Sequence, residues 1–114
     1  MKVLVYGTLK RGFGNHRFLV DCDLLEQGEF EVHGCQLRAD EDSPFPYLYK
    51  KFNQRTMPFY GEVYHINESI LKDLDMLEGH PSFYKRIFLK EYDCYTYVNT
   101  GDYVGELALI YKFL

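Results

Sequence analysis

Tryptophan is absent from the 114 residues, and cysteine occurs only at Cys22, Cys35 and Cys94. No C-x-x-C pair is present, and His16, His33, His65 and His80 form no H-x-x-x-H pair. A structural zinc site needs such paired ligands, so none is expected. Three thiols cannot all pair within one chain and are expected to be reduced, as in a reducing compartment. Basic charge is not in excess, since 13 Lys and Arg stand against 17 Asp and Glu. A net charge of −4 leaves no electrostatic footprint for nucleic acid. The first apolar run, Val3 to Val5, is far too short for a signal peptide or a membrane span. These absences predict a soluble cytoplasmic protein that binds neither nucleic acid nor membrane. They leave its oligomeric state open.

What is present is apolar and aromatic. Hydrophobic residues make up 46% and aromatics 18%, which is enough to build one core and argues against disorder. With no repeat and no linker, residues 1–114 are expected to form a single domain.

Lys2 to Tyr6, KVLVY, reads as a buried central strand that stops at Gly7. The loop GTLKRGFG follows. Gly7 and Gly12 have the spacing of a phosphate-binding loop, but Phe13 and Gly14 stand where Lys-Ser/Thr is required. Nucleotide binding is therefore not expected. Backbone N–H groups of such a loop can instead face a carboxylate or oxyanion. Asn15 is placed to cap a short helix through about Cys22, with Phe18 and Leu19 inward. Residues 24–37 alternate as a half-buried strand interrupted by Gly28 and Gly34, and residues 39–46 read as an acidic surface loop. Tyr47 to Lys50 suggests a short strand. Phe59 to Ile66 is a stronger strand candidate, with Tyr60, Glu62, Tyr64 and Ile66 on one face. Glu62 is either a second internal carboxylate or an edge or cross-strand ion-pair partner, and the ion pair is the simpler reading. Extended structure returns over 83–97, and Gly105 to Leu114 closes the chain as an apolar strand. Regular βαβ alternation is missing, so a small curved or closed β-sheet with two helices against it fits best.

Asn67 to Arg86, NESILKDLDMLEGHPSFYKR, reads as an amphipathic helix that ends abruptly. Asn67 suits the N-cap, Gly79 a left-handed C-cap, and Pro81 forbids continuation. Ile70, Leu71, Leu74 and Leu77 share one arc, and Glu78 falls inside it. A carboxylate on a core-facing stripe is costly. Desolvation and the negative helix end should both raise its pKa, which suits proton transfer near neutral pH. The competing reading is a helix-end glutamate that reaches water or pairs with Lys85 or Arg86.

Two segments together resemble a known family. VYGTLKRGFGN resembles the opening signature of the gamma-glutamylcyclotransferase-like superfamily, and LDMLEGHPSFYKR resembles its later LD..EG.P..Y.R segment. GCQLRADEDSPFPYL, YGEVYHI and LALIYKFL match its intervening and closing stretches in the same order. The short chain and Thr8 look most like the gamma-glutamylamine cyclotransferase branch.

The resemblance implies an α+β fold, a small mixed or antiparallel β-barrel with two flanking helices. It implies no metal and no organic cofactor. The implied substrate is a γ-glutamyl amide, from which attack of the α-amine on its own γ-carbonyl releases 5-oxoproline and a free amine. Carried onto this chain, Glu78 is the catalytic acid/base and Tyr6, Gly7, Thr8 and Leu9 grip the substrate. Tyr84, Arg86 and Tyr111 are further binding candidates. Arg86 is either a carboxylate receptor or a surface charge, and Tyr111 either a partner of Glu78 or substrate or a core aromatic. The competing function is a non-catalytic module on the same fold that binds a glutamyl-like small molecule.

Overall fold

The computed structural model describes residues 1–39 and 46–101, with the backbone of 106–107. Asp40-Glu41-Asp42, most of the expected closing strand, and Tyr111 lie outside the described residues.

β1, Lys2–Val5, is the middle strand of the larger sheet. Its apolar run explains this position, because both of its faces are covered. Leu4 packs on one side with Phe30, Leu37, Leu48 and Phe59. Val3 and Val5 pack on the other with Leu19, Tyr64, Leu71 and Leu74. β1 runs antiparallel to β5, Phe59–His65, with Val3 opposite Tyr64 and Val5 opposite Glu62. It runs parallel to β7, Cys94–Val98. β2, Leu24–Phe30, and β6, Lys85–Leu89, form the edges, in the order β2-β5-β1-β7-β6. A smaller sheet holds β3, Cys35–Ala39, between β4, Tyr47–Lys50, and β8, Glu106–Leu107. The two sheets meet where the Asn99 N–H donates to the Leu48 carbonyl at 2.8 Å and the Lys50 N–H to the Asn99 carbonyl at 3.0 Å.

α1, Glu68–Glu78, lies on the Val3/Val5 face of the larger sheet. The Asn67 side chain accepts from the Ile70 N–H at 2.9 Å, satisfying a donor that the first turn leaves without a helical partner. Gly79 ends the helix in the left-handed region, φ 67° and ψ 35°, where a side chain would be strained. Leu71 and Leu74 are buried, and burying Leu74 alone contributes about 2 kcal/mol. Asn67→Ala is expected to lower stability by about 1 kcal/mol, read as a lower urea midpoint with unchanged slope.

The α+β class stands, but two expectations are corrected. The described strands form two sheets joined beside β4 and β7, rather than one closed barrel. The expected helix from Asn15 to about Cys22 is a five-residue 3-10 helix, Gly14–Phe18, followed by turns. Its N-cap is Phe13, and Asn15 lies inside it. So short a segment returns few hydrogen bonds for the cost of nucleation. None of its five residues is buried, and Leu19, which follows it, is the first to reach the core. Among the described residues, no helix is long and apolar enough to cross a membrane.

Candidate active site

The central strand ends at Val5, and the chain turns over a cavity of about 300 Å³. Tyr6, Gly7, Thr8 and Leu9 line it from this turn. Glu78 and Leu77 line it from the last turn of α1, Pro46 and Tyr47 from the start of β4, and Tyr97 from β7. Phe83 and Tyr84 line it from the segment between α1 and β6. The volume is at the small end for a small-molecule site, and the wall is mainly aromatic and aliphatic with few polar groups.

The turn is tightly held. The Lys10 N–H donates to the Gly7 carbonyl at 3.0 Å, and the Asn15 N–H to the Thr8 carbonyl at 3.1 Å. The Asn15 side-chain amide donates to Thr8 Oγ1 at 2.8 Å. Gly7 is required by close approach, since a Cβ there would stand 2.8 Å from Pro46 Cγ. Glu62 anchors the far end of the loop. Its buried Oε1 accepts from the Arg11 N–H and from the Tyr64 hydroxyl, each at 2.9 Å. The Arg11 Nε lies 3.9 Å from Oε2, so Glu62 has a cationic neighbour, but it is a buried carboxylate on the interior strand β5 facing a loop arginine rather than an edge or cross-strand ion pair.

Glu78 is the titratable group that stands out. Loss of hydration pushes its carboxyl from an ordinary 4.5 up to about 7. The phenols of Tyr6, Tyr84 and Tyr97 lie close enough to feel its charge, yet none compensates it. Tyr6 donates to the Tyr97 carbonyl at 2.8 Å, and Tyr84 to the Pro46 carbonyl at 3.0 Å. Tyr97 donates to Asp75 Oδ1 at 2.7 Å. With every phenol proton taken elsewhere, the desolvated carboxylate gains no donor from them. Burial foremost, with the Glu78 charge adding to it, pushes the Tyr84 phenol up. Lys85 and Arg86 do not pair with Glu78.

The structure therefore brings six of the eight nominated residues to one cavity: Tyr6, Gly7, Thr8, Leu9, Glu78 and Tyr84. Arg86 is placed otherwise. Its Nη1 bonds Asp75 Oδ2, and its guanidinium lies 5.0 Å from the Tyr95 ring centre. It is neither an exposed surface charge nor part of the cavity wall. Tyr111 lies outside the described residues. Asn15, Pro46, Tyr47, Leu77, Phe83 and Tyr97 also line the cavity, and none of them is a site candidate from the sequence. Asn15 carried a signal, a polar residue just after a glycine-rich loop, but that signal also fits a helix cap. Burial pushes the Cys35 and Cys94 thiols up to about 11, so neither is a thiolate nucleophile near neutral pH.

Comparison with known proteins shows the family. The family model described as "Gamma-glutamyl cyclotransferase, AIG2-like" matches residues 3–110. The gamma-glutamylaminecyclotransferase of Homo sapiens is 34% identical over 100 residues, covering 77% of this chain and 60% of that protein. The gamma-glutamylaminecyclotransferase of Rattus norvegicus is 31% identical over 99 residues, covering 77% and 61%. The chain thus spans less than two thirds of the length of these relatives. A crystal structure of an AIG2-like protein from Mus musculus superposes with a TM-score of 0.69 at 28% identity, covering 90% of this chain and 78% of that one. An uncharacterized protein from Pyrococcus horikoshii shares the fold at a TM-score of 0.72 and 22% identity, over 96% and 86%. The family match spans both the Tyr6–Leu9 turn and the end of α1, and on it the chain belongs to the AIG2-like gamma-glutamyl cyclotransferase family.

Proposed function

We propose that this chain converts a γ-glutamyl amide into 5-oxoproline and a free amine, with Glu78 as the acid/base. One observation carries the reading: a carboxyl with its pKa near 7 stands on the wall of a small cavity that the turn after the central strand also lines. Family membership and the names of the curated relatives support the reaction class.

The chemistry asks little more of the protein. Starting from the neutral α-amine, the nitrogen attacks its own γ-carbonyl carbon and a C–N bond forms. Glu78, ionised, takes the proton that this nitrogen sheds. The tetrahedral oxyanion collapses, the bond to the leaving nitrogen breaks, and Glu78 returns the proton there. One carboxyl near its pKa serves both steps and ends as it began. Donors of the Tyr6–Leu9 turn stabilise negative oxygen, and the aromatic wall folds the substrate so that the amine lies against the carbonyl. No covalent enzyme intermediate is needed. Tyr84 is a binding surface in this scheme, since its proton is held by Pro46.

The test is 5-oxoproline release from a panel of γ-glutamyl amides differing in the amine. Wild type is expected to release it and to rank the amines. A folded wild type that binds glutamate or 5-oxoproline and turns over no panel member would replace this reading with that of a binding module.

A further inference from the structure

We propose that Asn15 is a positioning residue that presets the Thr8 hydroxyl as a hydrogen-bond donor into the cavity, toward an anionic oxygen of the ligand. The inference deepens the cyclotransferase reading and rests on it for the ligand class, a γ-glutamyl compound.

A guanidinium can only donate. Arg17 Nη1 donates to the Gly14 carbonyl at 3.0 Å and to Asn15 Oδ1 at 3.3 Å. The Asn15 amide oxygen therefore faces Arg17, and its nitrogen faces Thr8. That nitrogen can only donate, and it lies 2.8 Å from Thr8 Oγ1. Thr8 Oγ1 must accept, so its own proton turns away from Asn15. The Asn15 N–H also holds the Thr8 carbonyl, which fixes the Thr8 backbone beside the same residue. Among the described residues, no acceptor takes the Thr8 hydroxyl proton. Thr8 and Asn15 both line the cavity, so a ligand oxygen is the partner left for it. A donor oriented before the ligand arrives costs nothing to reorient, which is how preorganised sites favour negative oxygen. The anionic oxygen is either the α-carboxylate of the γ-glutamyl group or the oxyanion that develops on its carbonyl.

Asn15→Asp separates this role from simple packing. The shape is kept and the Arg17 contact becomes an ion pair. A carboxylate only accepts, however, so Thr8 must donate to it and the donor leaves the cavity. Affinity for 5-oxoproline, measured by calorimetry, and kcat and KM for the best γ-glutamyl amide are compared in three backgrounds: Thr8, Thr8→Ser and Thr8→Val. The expected cost of Asn15→Asp is about tenfold with Thr8 or Ser at this position. With Val, which has no hydroxyl, most of that cost should vanish. Weaker 5-oxoproline binding with a raised KM assigns the donor to the carboxylate. Lower kcat with unchanged 5-oxoproline binding assigns it to the oxyanion.

An equal cost in the Thr8→Val background would mean that the new charge acts directly, and would overturn the inference. So would a costless Asn15→Asp, or a wild type with no affinity for 5-oxoproline, glutamate or any γ-glutamyl amide. Binding without turnover would remove the cyclotransferase reading alone, because the cycle can still be read in affinity. Melting of each variant checks the fold, and Asn15→Asp is expected to melt no lower than wild type.

Discussion

Glu78→Gln is expected to lower 5-oxoproline release by a factor on the order of 10² to 10⁴ while making the fold more stable above pH 7. Both effects have one cause. The Glu78 carboxyl titrates near 7 in the folded chain and near the ordinary 4.5 once unfolding exposes it to water. Below 4.5 both states hold the proton, and burial carries no ionic cost. As pH rises from 4.5 to 7, the unfolded chain has released a proton that the fold retains, so stability falls. The loss levels off above about 7, at an order of magnitude of about 3 kcal/mol. Glutamine does not ionise and escapes this loss, but it cannot carry a proton between two nitrogens.

The comparison is made by thermal melting of both proteins at pH 4 and pH 8. The variant should gain relative to wild type between the two pH values. In wild type, kcat/KM should rise through an apparent pKa near 7, as the base form of Glu78 appears. A variant that turns over γ-glutamyl amides as fast as wild type would end the proposed mechanism. A stability difference that does not change with pH would mean that the carboxyl is not desolvated in the fold.

Asp75→Ala is expected to destabilise the protein by about 2–4 kcal/mol. Asp75 lies one turn before Glu78 and joins three elements. Its carboxylate accepts from the Tyr97 hydroxyl of β7 and from Arg86 of β6, while its backbone carbonyl accepts the His80 N–H at the helix end. Truncation leaves a phenol and a guanidinium without their acceptor in a partly buried setting. Asp75→Asn keeps one acceptor oxygen for Tyr97 and should cost about half as much. Urea unfolding of the three proteins measures both numbers. Because Asp75 holds the end of α1 against β7, Asp75→Asn should also reduce turnover at temperatures where it remains folded. A loss below about 1 kcal/mol for Asp75→Ala would show that Arg86 and Tyr97 find other partners.

Arg86 shows why its role was only half legible. Its position after the helix end suggests a cation near Glu78, and either a receptor or a surface charge fits the sequence. The pairing with Asp75 depends on β6 lying beside β7, which no spacing within residues 67–86 specifies. Leu77 gives the same lesson. It lies on the apolar arc of α1 yet is 36% exposed, because the arc passes from the core to the cavity rim in the last turn.

Caps, helix arc and strand periodicity act within one or two turns of chain. For that reason Asn67, Gly79, the buried pair Leu71 and Leu74, and the strands at 2–5, 47–50 and 59–65 follow from local residue order. Glu78 also stands out locally, as a charge on an apolar stripe. The family signature adds the Tyr6–Leu9 turn. What residue order leaves open is which distant groups meet. Tyr6 bonds the carbonyl of a residue 91 positions away, and Pro46 closes on a Cβ-less Gly7. The two sheets join beside β4 and β7 instead of closing into one barrel. The raised pKa of Glu78 belongs to this second class. A helix places the carboxyl, but burial raises its pKa, and the cavity wall around it and the acceptors of three phenol protons come from segments far apart in the chain.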